Sequence, residues 1–209
     1  MLPLLLNKII QTDKLLFLHL VTQKNRIYTF LNPVSYLIAL ENKSLFEQFD
    51  GIFADGSLLV SAIRLVYGKR VTRRSFDMTS LAPELLNYLM ESRKTLYIVA
   101  SGQEQVECSV RIFQEQYPEL RIAGFRNGYF SSDAEMNKEA SHIVELNPDF
   151  LIVGMGALMQ EKFLLKVKKM GYQGIGFTCG GFVHQTAMNR MHYLSLIHIS
   201  EPTRPRLIS

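Results

Sequence analysis

Several small groups of residues in this chain are of types that do chemistry, and each stands where an apolar run gives way to a helical pattern. The first is Phe53-Ala54-Asp55-Gly56. Gly56 lets the backbone turn sharply, so the Asp55 carboxylate would project from the end of the run before it. A carboxylate so placed can take the proton of an attacking hydroxyl, which makes Asp55 the candidate general base. The same residue type caps helices by accepting their first N–H groups, and the pattern alone leaves both roles open.

The second group is Gly154-Met155-Gly156, followed by Gln160-Glu161-Lys162. Glycines admit a ligand close to the backbone, and a helix that starts there favours an anion such as a diphosphate. The spacing and the Lys-Ser/Thr of a P-loop are missing. Gln160 is either a pocket residue or a solvated surface residue. Ser101-Gly102 opens another helical pattern, as a nucleotide cradle or as an ordinary serine cap. In Cys179-Gly180-Gly181-Phe182-Val183-His184 the paired glycines and His184 could hold a base or a sugar. Cys179 has no charged neighbour in sequence to activate its thiol and reads as a small buried residue. Arg70, Arg73 and Arg74 precede Ser75-Phe76-Asp77. A guanidinium reaching the strand ends would stabilise a leaving diphosphate; the alternative is a solvated loop with Asp77 as a helix cap. The chain has no Asp-x-Asp pair, no His-Glu-x-x-His and no cysteine cluster, so neither a metal nor another cofactor is expected. Charge on a leaving phosphate would be met by cations and backbone dipoles.

Short β-rich runs at 26–31, 51–54, 95–100, 120–125, 150–153 and 174–178 must position these groups, since each ends near turn-forming residues. Between them lie helical spacings such as Leu58, Leu59, Ala62, Ile63 and Val66, or Val106, Val110, Ile112 and Phe113. The alternation predicts one Rossmann-like α/β domain with a mostly parallel sheet and flanking helices. Ligands of open parallel sheets bind beyond the carboxyl ends of the strands. Asn32, Asp55, Ser101, Gly102, Gly154, Gly156, Gly180 and Gly181 all fall there.

Of the 209 residues 47% are hydrophobic and 20% charged, which suits a single globular domain. The formal charge of +4 is spread along the chain with no basic stripe, so nucleic acid is not an expected partner, and attraction to phosphates or anionic lipid is the most it supports. Two distant cysteines indicate no disulfide framework and fit a reducing cytoplasm. The apolar stretch 1–21 is interrupted by Lys8, Asp13 and Lys14 and reads as neither a signal peptide nor a spanning helix, so membrane contact is expected to be peripheral. Residues 194–204, Leu-Ser-Leu-Ile-His-Ile-Ser-Glu-Pro-Thr-Arg, match the translation of a transposon mosaic-end adapter used in sequencing libraries. The expectation is a catalytic domain over 1–193 and a non-native tail over 194–209.

Phe30-Leu31-Asn32-Pro33, Phe53-Ala54-Asp55-Gly56, Gly128-Tyr129-Phe130, Gly154 through Lys162 and Gly180-Gly181, in this order and spacing, resemble the WecG/TagA/CpsF glycosyltransferase family over about residues 26–193. The resemblance implies an inverting, metal-independent transferase. It would move N-acetylmannosamine, N-acetylmannosaminuronic acid or a related sugar from a UDP donor to an undecaprenyl-diphosphate-linked acceptor, at the cytoplasmic face of the membrane, during cell-surface polysaccharide or teichoic acid synthesis. It implies Asp55 as general base, Asn32, Gln160 and Tyr129 in the substrate pocket, and Arg73 or Arg74 as the site arginine. The chain differs from the family pattern at Phe30, where many members have threonine (here Thr29, one residue earlier), across Arg73-Arg74-Ser75-Phe76-Asp77, and at His184. The family's arginine-rich, membrane-docking C-terminal appendage would begin where the adapter string stands, so this chain is expected to fold yet lack part of its active site. Self-association into a homo-oligomer stays open. The competing reading is a non-catalytic Rossmann-like nucleotide-binding module.

Overall fold

The computed structural model describes residues 7–10, 17 and 19–188. Among them run β1 (Arg26–Leu31), α1 (Pro33–Glu41), α2 (Lys43–Phe46), β2 (Gly51–Ala54), α3 (Ser57–Tyr67), α4 (Leu81–Glu91) and β3 (Thr95–Ala100). These are followed by α5 (Gln103–Gln116), β4 (Arg121–Arg126), α6 (Asp133–Leu146), β5 (Phe150–Gly154), α7 (Met159–Lys169) and β6 (Ile175–Thr178), and a helical segment occupies 182–188. The adapter-like string and most of 1–21 lie outside the described residues, within which no helix is long and apolar enough to cross a membrane.

The six strands form one sheet in the order β2-β1-β6-β5-β3-β4, and every pairing in it is parallel. The Rossmann-like α/β expectation holds. β2, β5 and β6 are buried along their whole length, which is why they read as continuous apolar runs rather than as alternating ones. On the β5 strand, Phe150 and Ile152 pack with Leu85 and Leu89 of α4 and Val110 and Phe113 of α5. Leu151 and Val153 point the other way, into a cluster with Ala140 and Ile143 of α6 and Phe163 and Val167 of α7. A third cluster joins Ile52 and Ala54 to Ala39, Leu59 and Ile63 at the β2 edge.

Two acids lock the amino ends of the strands. Asp50 accepts the Ile27 N–H at 2.8 Å, Arg26 at 2.8 Å and Lys168 at 2.6 Å. Asp149 accepts the Thr95 N–H and hydroxyl, each at 3.0 Å, and Lys94 at 3.0 Å. Partial burial works against both carboxylates, yet these donors hold both carboxyl groups below the usual range. With the register fixed at that end, the opposite strand ends are set side by side.

Candidate active site

An open cavity of about 1140 Å³ lies beyond the carboxyl ends of the strands. Its lining includes Asn32, Asp55, Ser101, Gly102, Tyr129, Gly154, Gly156, Gln160, Gly180, Gly181 and His184, together with Phe30, Ser75, Phe76, Asp77, Gln105 and Gln185. The strand-end rule therefore brought most of the candidates to one place.

Asp55 extends β2 by one residue, its N–H donating to the Leu31 carbonyl at 2.8 Å. The helix after it is capped at Gly56, with φ 88° and no side-chain cap, so the capping alternative fails for Asp55. Its Oδ1 instead accepts a hydrogen bond from the Ser75 hydroxyl. Ser75 is 20 residues away and arrives because the 73–77 segment runs along the end of β2, where the Arg74 N–H donates to the Ala54 carbonyl at 2.9 Å. Sequence spacing carries no signal for that contact.

Asn32 does cap a helix. Its Oδ1 accepts the Val34 and Ser35 N–H groups at 3.0 and 2.9 Å, with Pro33 in the first turn. The oxygen is committed to α1, and what Asn32 can offer a ligand is its amide nitrogen.

Ser101 is not the cap of α5; that position belongs to Gly102. Ser101 takes a left-handed φ of 55° and joins two strand ends, its N–H donating to the Gly154 carbonyl at 3.1 Å while its own carbonyl accepts the Gly128 N–H at 2.8 Å. Asp77 is likewise not a helix cap. It closes a turn by accepting the Thr79 N–H at 2.8 Å and the Thr79 hydroxyl at 2.7 Å, and α4 begins from Ser80. Arg73 and Arg74 do not line the cavity. The Arg74 guanidinium lies 3.1 Å from Glu84, and that of Arg73 lies 3.7 Å from Asp77.

On the opposite wall Tyr129 is 74% exposed at the cavity rim. Its loop is fixed by Arg126, which donates to the Tyr129 carbonyl at 3.0 Å and to Glu135 at 2.9 Å and sits 4.0 Å over the Phe130 ring. Ser131, through hydroxyl and N–H, and then Arg126 hold the Glu135 carboxyl down at about 2. His184 is exposed on the rim. Cys179 is buried, which pushes its thiol up to about 12, so it is no nucleophile.

Gln160 is buried rather than solvated. Its amide nitrogen donates to Glu161 at 2.9 Å and its oxygen accepts the Gly180 N–H at 3.1 Å. Gly154 is required by crowding, since a Cβ there would stand 2.6 Å from the Gly180 carbonyl oxygen and 2.8 Å from Cys179 Sγ. Gly156, at φ 84°, is required by its backbone.

The whole sheet, from before β1 to past β6, matches the Glycosyl transferase WecG/TagA/CpsF family over residues 11–190. The chain belongs to that family. Over 167 residues it is 32% identical to a UDP-Gal:alpha-D-GlcNAc-diphosphoundecaprenol beta-1,4-galactosyltransferase of Shigella boydii, covering 80% of this chain and 70% of that protein. Over 168 residues it is 24% identical to an N-acetylglucosaminyldiphosphoundecaprenol N-acetyl-beta-D-mannosaminyltransferase of Bacillus subtilis (strain 168), covering 78% of this chain and 63% of that protein. The protein of Bacillus spizizenii with the same name is 23% identical, also over 63% of its length. The chain thus spans less than two thirds of the Bacillus relatives that it matches. Membership makes it a glycosyltransferase, and both named activities act on a diphosphoundecaprenol-linked acceptor.

Proposed function

We propose that this protein transfers a hexose or N-acetylhexosamine, with inversion, from a UDP donor to an N-acetylglucosaminyl-diphosphoundecaprenol acceptor. The observation that carries this reading is the Asp55 carboxylate, which stands in the cavity at a strand end, oriented by Ser75 and not engaged in capping a helix. In the step that follows, the acceptor hydroxyl attacks the anomeric carbon, Asp55 takes its proton, and the sugar–phosphate bond breaks with its electron pair leaving on UDP. Backbone N–H groups at the starts of α5 and α7 are suited to the departing diphosphate. Asn32 offers its amide nitrogen to the sugar, Gln160 shapes the cavity wall by holding the Gly180 N–H, and Tyr129 and His184 border the cavity where a base or sugar would enter.

A place at the inner membrane face belongs to the same reading, supported by the lipid-linked acceptors in the relatives' names. It is also supported by Val34 and Leu37 on α1 and Leu58, Leu65 and Val66 on α3, each at least 63% exposed on helices that start beside Asn32 and Asp55. Residues 56–76 contain Arg64, Lys69, Arg70, Arg73 and Arg74 and no acid, which complements an anionic lipid surface.

Calorimetric titration with UDP and, separately, with NAD tests the assignment. UDP binding is expected; NAD binding without UDP binding would sink it and leave the non-catalytic nucleotide module.

A further inference from the structure

Glu161 has no place in the chemistry above, yet it is fully buried, 0% exposed, in the first turn of α7 directly behind the cavity wall. Both of its oxygens are engaged. Oε1 accepts from the Thr29 hydroxyl at 2.8 Å and from the Gln160 amide at 2.9 Å, and Oε2 accepts the Leu158 N–H at 2.7 Å. Thr29 is tied in turn to Thr178 at 2.9 Å, across the β1–β6 pairing. One carboxylate therefore joins the ends of β1 and β6 to two cavity walls. The first is the 155–158 turn, which ends at Leu158 with a left-handed φ of 72°; the second is the Gly180-Gly181 loop, reached through Gln160. No ion pair offsets the charge of Glu161 among the described residues, and burial raises its pKa despite these donors.

A buried acid without a countercharge is a poor means of gaining stability. It is well suited to setting directions. An amide can face an acceptor only with its nitrogen, so Glu161 decides which end of Gln160 meets it and leaves the oxygen for the Gly180 N–H. That N–H belongs to a residue at φ 52°, on a loop lining the cavity.

We propose that Glu161 is a positioning residue for the donor nucleotide: through Gln160 it sets the Gly180-Gly181 loop and the adjacent 155–158 turn against UDP, without touching the ligand. This rests on the transferase reading above. The experiment is a double-mutant cycle on UDP affinity, by calorimetry, with Glu161→Gln, Gln160→Ala and the pair, and with thermal melting of each variant recorded. Glutamine at 161 presents one acceptor oxygen to donors that now meet two. The expected result is about tenfold weaker UDP binding for Glu161→Gln in the wild-type background, and little further loss when it is added to Gln160→Ala. A folded Glu161→Gln protein with unchanged UDP affinity, or losses that simply multiply in the pair, would overturn the proposal, because a merely structural role lowers melting without coupling to Gln160. Should Glu161→Gln not fold, Glu161→Asp takes its place in the cycle, since it keeps the charge but is one methylene too short to reach its partners together. Weakened binding that is coupled to Gln160 then supports the proposal, and unchanged or simply multiplying affinities overturn it. An unsubstituted protein that binds no UDP overturns the transferase reading, and this proposal with it.

Discussion

At the scale of single residues, the distinction that matters is between a polar group spent on local structure and one left for a ligand. Asn32 and Asp55 both follow a strand and both precede a helix, and in sequence they are equally good caps. The structure separates them: Asn32 gives its oxygen to two N–H groups of α1, whereas α3 starts from Gly56 and Asp55 turns to Ser75. Asp55→Asn keeps shape and hydrogen-bonding capacity but removes the base. The substitution should lower sugar transfer about 100-fold to 10,000-fold with UDP affinity retained. Transfer at the unsubstituted rate would remove Asp55 from the role. The arginines show the opposite outcome, since charge type and position suggested a site role and yet the Arg74 side chain is turned to Glu84.

At the scale of elements, the strands were legible because a buried parallel strand is apolar on both faces and ends in turn formers. β1, β2 and β3 lie where the sequence pattern put them; β4 begins and ends one residue later than 120–125, β5 extends through Gly154, and β6 starts at Ile175. Caps were less legible, because Ser101 and Asp77 have cap-forming side chains while Gly102 and Ser80 hold the cap positions. The strand-to-helix turn after β5 also depends on a close approach that no periodicity reports. Gly154→Ala would push a methyl group into the Gly180 carbonyl and the Cys179 sulfur. It is expected to lower the melting temperature by several degrees, corresponding to about 1–3 kcal/mol of overpacking, and to weaken UDP binding. A variant that melts and binds like the parent would show that the two loops move apart without cost.

At the scale of the whole molecule, the strand order places β6 between β1 and β5, so the last strand-end loop faces the first two across one cavity. The helices α1 and α3, which carry the exposed apolar side chains, start at that cavity's Asn32–Asp55 side. If this face meets lipid, the protein should cosediment with vesicles containing phosphatidylglycerol and less with neutral phosphatidylcholine vesicles. Leu65→Glu combined with Val66→Glu should abolish the binding while leaving UDP affinity unchanged. Cosedimentation that survives the double substitution would place the membrane contact elsewhere.

The sequence by itself determined the α/β class, the run of strands and the rule that chemistry collects at their carboxyl ends, because periodicity and turn chemistry are local properties of a chain. The ordered family residues added Asp55, Asn32 and Gln160 as candidates for the site. Only the tertiary structure decided which polar groups meet. Ser75 reaches Asp55 across 20 residues, and Thr29 reaches Glu161 across 132, because strand order and parallel register, not spacing, bring them together. A hydrogen bond in a buried network depends on distance and angle between groups from separate elements, and those are fixed only when the sheet closes around them.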